Sequence, residues 1–474
     1  MEPSKINNTH SKDENINEED KVANKVNTVT LNDFSDGDSG VYEDIILNQT
    51  HGLCPECNQP NTSLNWCKEC NSKRFQQNFG NWTSGNECID KLIQESQLNA
   101  RNNFELLEWI PYNRLRHIQF LAQGGFSTVY KGLWLDGLIE QWDYEKQDWK
   151  RTMYKDENYH CNSENYGFLV AIKSLNDSAN ITEDFLNEWK LYLKCQHKVG
   201  SEGSYIIPVL GITQHPDTLN YMAIIYLLPG NLRNNLPGIK YNPNDKFRIL
   251  FAISIVLEAI HDSDLVHGDF HSGNILYAGK GIAYTSDLGL CGPVNRSNTK
   301  DEIYGVLPYM APEVLRGNPY TKAADIYSLG IIMWELASGT PAFYNVSYDF
   351  QLHLDICEGI RPKIAEGTVL EYVEFMKRCW DNDPKKRQTA SECKFKFAIW
   401  LFKYPPENDD EKRVPIPENE PKITYHPNSC YASRKITYSA KLNEHLAQDL
   451  LSYKIIIDDD EINENFGTVY EIML

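Results

Sequence analysis

The spacing of hydrophobic and polar residues predicts one large domain that begins with strands and continues with helices. Residues 170–172 form a short apolar run typical of a strand, and 185–193 has the spacing of an amphipathic helix. The longest apolar stretch, 249–260, is far shorter than the roughly 20 residues that a membrane-spanning helix needs. We therefore expect a domain over 115–404 and no membrane insertion.

The segments beside this domain have different patterns. Ser84 and Glu87 form a capping-box pattern ahead of apolar residues at helical spacing, which predicts a helical connector over 80–114. Repeated prolines predict that 405–474 begins as an extended linker. We expect this tail to be mostly disordered, with a short helix around Leu442.

The charge balance argues against nucleic acid as the main partner. The formal net charge is −20, and nucleic-acid binding needs clustered Lys and Arg. Part of the excess lies in 1–50, which holds 11 acidic and 4 basic residues and is expected to be a disordered acidic leader. Residues 1–10 have no apolar run typical of a secretory signal, so we expect the protein in the cytoplasm or nucleus.

Two C-x-x-C pairs predict a metal site ahead of the large domain. The four thiols are those of Cys54, Cys57, Cys67 and Cys70. Four thiolates form the closed tetrahedral shell of structural zinc, which predicts a four-cysteine zinc knuckle over 51–75. The alternative interpretation is two chance pairs or redox-active dithiols.

A glycine-rich stretch opens the large domain. Residues 121–129 read Leu-Ala-Gln-Gly-Gly-Phe-Ser-Thr-Val, which predicts a strand, a turn and a second strand. Small residues in such a turn let backbone N–H groups approach a polyphosphate. An ordinary Gly-Gly turn between two strands has the same pattern, so this motif alone is weak.

Five polar side chains carry the candidate chemistry. Lys173 ends an apolar strand and needs anionic partners, for which phosphate and Glu188 are suitable. Asp269 can accept a hydroxyl proton, while Asn274 and Asp287 are suited to hold Mg²⁺.

Farther along, Glu313 in a Met-Ala-Pro-Glu motif is followed by Asp-Ile-Tyr-Ser-Leu-Gly at 325–330 and then by Arg387. We expect a buried ion pair between Glu313 and Arg387, which would anchor the segment that follows the candidate site.

In this order, the motifs resemble the signature set of eukaryotic protein kinases over 115–404. The resemblance implies an α+β bilobal fold, with a β-rich N-lobe over 115–228 and a mainly helical C-lobe over 229–404. The loop Asp-Phe-His-Ser-Gly-Asn is most similar to that of the tyrosine-kinase-like group, whose members mostly phosphorylate Ser and Thr. A Cys-rich knuckle ahead of the kinase domain also resembles a set of fungal kinases.

The resemblance assigns a role to each site residue. Lys173 would hold the α- and β-phosphates of ATP and pair with Glu188, Asp269 would act on the acceptor hydroxyl, and Asn274 and Asp287 would bind Mg²⁺ or Mn²⁺. The remaining nucleotide-binding positions would be Ala122, Gly124, Gly125, Ser127, Val129, Ala171, Ile225, Tyr226, Leu228 and Leu276. The expected partners are protein substrates and signalling proteins.

The chain departs from the family pattern at several positions. Ala122 and Ser127 replace two glycines of the nucleotide loop, and Gly268 replaces an Arg that often receives an activation-loop phosphate. His271 and Val306 replace residues that Ser/Thr kinases use near the acceptor. Leu288 replaces the Phe of the D-F-G turn. The first hypothesis is an active Ser/Thr kinase, and the changes at His271 and Val306 leave tyrosine or dual specificity open. The alternatives are a pseudokinase that acts as a nucleotide-sensing scaffold, and a zinc-dependent binding protein.

The functions of two further segments are not determined by these motifs. The connection over 132–170 is rich in aromatic residues and is expected to be an extended hairpin that buries its own aromatic face, or else a docking surface. The activation segment, 287–313, contains hydroxyl groups that could accept phosphate, on Ser297, Thr299 and Tyr304.

Overall fold

The computed structural model describes residues 51–124, 127–155, 166–176, 178–179, 183–199, 205–287, 292–294, 303–404, 414–420, 422–439 and 441–445. The acidic leader that we predict over 1–50 lies outside these residues.

A sheet of seven strands forms the first lobe. In chain order the strands of the described chain are β1 (Glu108–Trp109), β2 (Leu115–Gln123), β3 (Ser127–Trp134), β4 (Leu138–Asp143), β5 (Asp148–Thr152), β6 (Tyr154–Lys155), β7 (Tyr166–Leu175), β8 (Val209–Gln214), β9 (Tyr221–Tyr226), β10 (Gly230–Asn231), β11 (Leu265–Val266), β12 (Ile275–Gly279), β13 (Ile282–Thr285), β14 (Gly292–Pro293), β15 (Ile303–Gly305) and β16 (Arg434–Ile436). The sheet has the order β1-β8-β9-β7-β3-β2, and β6 also pairs with β7. Only the β1–β8 pair of this sheet is parallel within the part of the chain described.

The helices from residue 232 onward form most of the second lobe, and three further α-helices of the described chain precede it. The described α-helices are α1 (Lys68–Asn78), α2 (Glu87–Asn99), α3 (Glu183–Val199), α4 (Leu232–Lys240), α5 (Pro243–His261), α6 (Pro312–Leu315), α7 (Lys322–Ser338), α8 (Phe350–Cys357), α9 (Leu370–Cys379) and α10 (Ala390–Lys403). Residues 324–336 of α7 are all buried, so this helix is the centre of the C-lobe core. The apolar stretch 249–260 forms most of α5, which is also largely buried. The predicted bilobal α+β fold is therefore confirmed.

The connector contains the predicted helix, with a different cap. Helix α2 begins at Glu87, and the side chain of Asn86 caps it by accepting hydrogen bonds from the backbone N–H groups of Cys88 and Ile89. The Ser84 hydroxyl instead donates to the Asp90 carboxylate at 2.5 Å. The expected capping box of Ser84 and Glu87 is therefore wrong, because Asn86 lies closer to the first turn and satisfies its free N–H groups.

The aromatic connection folds into a hairpin that packs against the Cys-rich segment. Strands β4 and β5 pair antiparallel, with Trp142 opposite Trp149. The Trp149 ring stacks on Phe75 with centroids 4.5 Å apart and on Trp66 at 5.9 Å. The guanidinium of Arg74 lies 4.3 Å above the Trp142 ring. The hairpin is thus confirmed, but its aromatic face is buried mainly by the Cys-rich segment and α1 rather than by itself.

Part of the C-terminal tail lies on the C-lobe. Strand β16 pairs antiparallel with β15 of the activation segment, and residues 441–445 are helical. Ile436 and Leu442 are buried, at 2% and 0% exposure, and extend the C-lobe core. For these residues the expectation of an extended linker and mostly disordered tail is corrected, because apolar side chains of the tail fill sites on the C-lobe. The predicted helix around Leu442 is present in the described residues.

A search of the described helices finds none with the length and apolar character required to cross a bilayer.

Candidate active site

A short loop between β11 and β12 carries Asp269 and Asn274, and a buried carboxylate holds the start of this loop. Asp325, on α7, accepts hydrogen bonds from the backbone N–H groups of His267 at 2.8 Å and Gly268 at 3.1 Å. Its Oδ2 also lies 2.9 Å from Nε2 of His261. Gly268 has a φ of +77°, which glycine adopts without strain.

Asp269 and Asn274 are in direct contact. The Asn274 side-chain amide donates to the backbone carbonyl of Asp269 at 2.9 Å and to its Oδ2 at 3.2 Å. These hydrogen bonds use the amide nitrogen, so the amide oxygen is the atom that can serve as a hard ligand for a cation. The two residues therefore present a carboxylate and an amide oxygen at one place, as the sequence predicts.

Lys173, on the seven-stranded sheet, forms an ion pair with Asp287, which follows β13 in the chain. The Lys173 ammonium, on β7, lies 2.7 Å from Oδ1 of Asp287. Asp287 has a φ of +57°, an uncommon conformation for a residue with a Cβ. Its neighbour Ser286 donates from backbone and hydroxyl to the carbonyl of Asn274, at 2.8 and 2.9 Å. A continuous set of contacts thus joins Lys173 and Asp287 to Asn274 and Asp269.

Three predicted positions cannot be placed. Glu188 belongs to α3, but its side chain lies outside the described residues, so the Lys173–Glu188 pair stays a prediction. Gly125 of the nucleotide loop and Leu288 of the D-F-G-like turn also lie outside them.

The environment of Asp269 favours its charged form. Burial alone raises the pKa of this carboxyl, because a charge loses solvation there. The neighbouring His271 and the hydroxyl of Ser433 outweigh burial and lower the pKa to about 2. Asp269 is therefore ionised at neutral pH and can accept a hydrogen bond from a substrate hydroxyl.

The nucleotide-binding positions lie on adjoining strands and one neighbouring loop. Strands β2 and β3 form the predicted hairpin, in which Ala122 pairs with Val129 and the Gly124 N–H donates to the carbonyl of Ser127 at 2.8 Å. Ala171 and Ile225 face each other across β7 and β9. Tyr226 ends β9, Leu228 follows it, and Leu276 lies on β12 opposite Asn231.

The activation segment ends at Glu313, which forms the expected ion pair with Arg387. Arg387 makes two charge-assisted hydrogen bonds to the Glu313 carboxylate, at 2.7 and 2.8 Å, and its side chain is fully buried. The predicted pair is confirmed. Of the candidate phosphate acceptors, Tyr304 lies on β15 opposite Lys435, and Ser297 and Thr299 lie outside the described residues.

One residue at the site was not predicted from the sequence. The Ser433 hydroxyl, on the C-terminal tail, donates to Oδ2 of Asp269 at 2.5 Å, and its oxygen lies 3.3 Å from Nε2 of His271. No local pattern marks this serine. It is 164 residues from Asp269 in the chain, and only tertiary structure brings the two together.

The four knuckle cysteines converge away from this site. Their Sγ atoms all lie within 4.8 Å of one another, with Cys54 and Cys70 at 3.8 Å and Cys57 and Cys67 at 3.6 Å. The structure thus brings together the four thiols that the spacing predicts could share one metal ion.

Comparisons with known proteins address the same region. The family model described as the protein kinase domain matches residues 157–396. A protein of Acanthamoeba polyphaga mimivirus named as a serine/threonine-protein kinase/receptor is 33% identical over 171 residues, which is 35% of this chain and 10% of that protein. A LIM domain-containing serine/threonine-protein kinase of Dictyostelium discoideum is 27% identical over 276 residues, or 57% of this chain and 37% of the relative.

A human relative has a more specific name. Mitogen-activated protein kinase kinase kinase 4 is 27% identical over 249 residues, or 49% of this chain and 15% of the human protein. The chain thus spans only a minor part, between 10% and 37%, of the length of these three relatives.

Proposed function

The chain belongs to the protein kinase family, and we propose that it transfers the γ-phosphate of ATP to Ser or Thr hydroxyl groups of proteins. The observation that carries this proposal is the set of contacts joining Lys173 and Asp287 to Asn274 and Asp269. It combines a cation for phosphate, two oxygen ligands for a divalent metal, and an ionised carboxylate for the acceptor.

The residues of the loop have distinct tasks in this reaction. Asp269 orients the acceptor hydroxyl and takes its proton, and the Asn274 amide keeps the Asp269 carboxylate in place through the hydrogen bond at 3.2 Å. Asp325 fixes the backbone just before Asp269 and so positions it.

The metal ligands fit a hard cation. The carboxylate of Asp287 and the amide oxygen of Asn274 are the ligand types that Mg²⁺ takes from proteins alongside phosphate and water. Bound Mg²⁺ would neutralise charge on the phosphates during transfer. Lys173 lies 2.7 Å from Asp287, so the cation for phosphate and the carboxylate for metal occupy one place.

We also propose a narrower assignment to the tyrosine-kinase-like group. It rests on the Asp-Phe-His-Ser-Gly-Asn loop at 269–274. The proposed setting is intracellular signalling in the cytoplasm or nucleus, with protein substrates and signalling proteins as partners.

Transfer of labelled γ-phosphate tests the function directly. Purified wild-type chain with ATP and Mg²⁺ should incorporate label into itself and into dephosphorylated casein, whereas Asp287→Asn should give background because the metal loses its carboxylate. Phosphoamino-acid analysis should find phosphoserine and phosphothreonine. Equal background incorporation in both proteins would defeat the proposal, and a thermal shift with nucleotide in the absence of turnover would then favour the pseudokinase.

We further propose that the four cysteines hold a structural zinc ion. A Zn–S bond of about 2.3 Å in a tetrahedron places neighbouring sulfur atoms about 3.8 Å apart, and the two closest Sγ pairs lie at 3.6 and 3.8 Å. Zinc would hold together a segment whose core is small, and Trp66 and Phe75 of this segment contact the hairpin.

Metal analysis of the full chain under reducing conditions should return one zinc per chain. We expect Cys67→Ser to lose this zinc, because three thiolates bind it less tightly and leave the shell open. Cys88→Ser is the matched control, since Cys88 is exposed and lies on α2 outside the cluster. A wild-type chain without zinc, or a Cys67→Ser variant that retains it, would remove the proposal.

A further inference from the structure

The C-terminal tail follows a defined path over the C-lobe to the candidate active site. Glu420 lies 3.1 Å from the Lys240 ammonium and accepts a hydrogen bond from the Tyr241 hydroxyl. Farther along, the His426 N–H donates to the Tyr344 carbonyl at 2.8 Å. Contacts spaced along the tail thus hold it on the lobe ahead of the residue that contacts Asp269.

Beyond these contacts the tail joins the activation segment as a strand. Strand β16 pairs antiparallel with β15, with Ile436 opposite Ile303 and Arg434 opposite Gly305. Ile436 is only 2% exposed, so an apolar side chain anchors the tail beside the activation segment. An extended peptide that adds to a free strand edge is a recurring mode of peptide recognition, in which backbone hydrogen bonds supply affinity.

The side chains around Ser433 fix the register of this peptide. Two residues before it, the Tyr431 carbonyl accepts from Nη1 of Arg233 at 3.2 Å, and the Tyr431 ring lies 4.6 Å below that guanidinium. One residue after it, Nη2 of Arg434 donates to the Tyr348 carbonyl at 2.7 Å. Contacts on both sides therefore determine which residue faces the catalytic loop.

The residue that faces the loop is a serine with its hydroxyl on the proposed base. The distance from Ser433 Oγ to Oδ2 of Asp269 is 2.5 Å, which suits a short hydrogen bond to a carboxylate. His271 also contacts this hydroxyl, with Nε2 at 3.3 Å. A general base must lie within hydrogen-bond reach of the proton that it takes, and this geometry meets that condition.

We propose that the tail occupies the protein-substrate channel of its own catalytic site and that Ser433 is an intramolecular phosphorylation site. The inference rests on the proposed kinase function. In the reaction the Ser433 O–H bond breaks and its proton passes to Asp269, while Oγ forms a bond to the γ-phosphorus of ATP. The bond from that phosphorus to the bridging oxygen breaks, and ADP leaves.

The test is site mapping by mass spectrometry on the full chain after incubation with ATP and Mg²⁺. We expect phosphate on Ser433 of the wild type, formed with a first-order rate constant that does not change with protein concentration. The Ser433→Ala variant should lose this phosphate. Thr437→Ala should retain it, because Thr437 is an exposed hydroxyl of the same tail beyond β16.

A mixing experiment separates transfer within one chain from transfer between chains. A tagged Asp287→Asn chain is incubated with untagged wild type, and we expect Ser433 of the tagged chain to stay unmodified while that of the wild type is phosphorylated. Equal modification of both chains, at a rate proportional to concentration, would overturn the intramolecular assignment.

Phosphorylation of casein distinguishes failure of the proposed Ser433 site from failure of the proposed kinase function. The Ile436→Asp variant places a charge at a buried position of the tail, so it should release the channel and phosphorylate casein faster than wild type. If casein is phosphorylated while Ser433 of the wild type stays unmodified, the tail is a substrate mimic only, and the inference fails with the kinase function intact. Absence of transfer to casein by both proteins, with Ser433 unmodified, defeats the kinase function itself.

Discussion

Replacing Asp269 with asparagine is expected to lower the rate of γ-phosphate transfer by about 10²- to 10⁴-fold, the usual contribution of a positioned general base. Asparagine keeps the size of the side chain and can still contact Asn274, but it cannot take a proton. The pKa of about 2 means that the native carboxyl is ionised throughout the neutral range, so the variant removes a charge that is always present. Initial rates of incorporation into the chain and into casein measure the effect.

Asp217→Asn provides the matched control for this variant. Asp217 is an exposed carboxylate in the turn between β8 and β9, so the same chemical change there should leave the rate unaltered. Thermal unfolding of both variants checks that the fold is retained. A folded Asp269→Asn protein with the wild-type rate would show that another group takes the proton.

Replacing Arg387 with methionine is expected to lower the free energy of unfolding by about 3–5 kcal/mol, the usual cost of breaking a buried ion pair. The variant leaves the Glu313 carboxylate buried without its partner. It also removes the hydrogen bonds that Arg387 donates to the carbonyls of Asp381, at 2.8 Å, and Ala323, at 3.0 Å. Denaturant unfolding of the full chain measures the change.

Two further variants identify the cause of that loss. Arg378→Met makes the same replacement at an exposed position of α9, where the guanidinium contacts only the Phe375 ring among described aromatic rings, and we expect a change of at most about 1 kcal/mol. The double variant Glu313→Gln/Arg387→Met removes the stranded charge and should recover part of the stability. If Arg387→Met and Arg378→Met are equally stable, the ion pair contributes little to the fold.

The sequence sufficed for those parts of the site in which determinants lie close together along the chain. Asp269 and Asn274 are five residues apart in one predicted loop, and the structure brings their side chains into contact. Lys173 was predictable because a charged residue at the end of an apolar strand needs an anion. The Glu313–Arg387 pair spans 74 residues, yet the order of the motifs along the chain sufficed to predict it.

The sequence did not predict how the C-terminal tail packs on the C-lobe. Apart from the short helix predicted around Leu442, the prolines and polar residues of the tail are typical of a linker, and no pattern in it indicates a place on the C-lobe. Ile436 and Leu442 lie in different elements of the tail, and both join the core of the C-lobe. The contact between Ser433 and Asp269 therefore depends on where the whole tail is anchored, which local patterns do not determine.

The hairpin over β4 and β5 shows the same limit on a smaller scale. Its many aromatic residues predict an extended hairpin with a buried aromatic face, but the partner of that face cannot be read from the sequence. In the structure the partner is the Cys-rich segment, where Trp66 and Phe75 contact Trp149. Two features that the sequence leaves separate are thus parts of one unit.

The contact between the hairpin and the Cys-rich segment determines the smallest fragment of the protein that we expect to fold by itself. A truncation that starts at residue 115 would uncover the Trp149 ring and delete β1 from the edge of the sheet, next to β8. Exposed indole surface and an open strand edge both favour aggregation. The Cys-rich segment, the connector and the two lobes therefore form a single structural unit, in which the hairpin joins the four-cysteine segment to the lobe that bears Lys173.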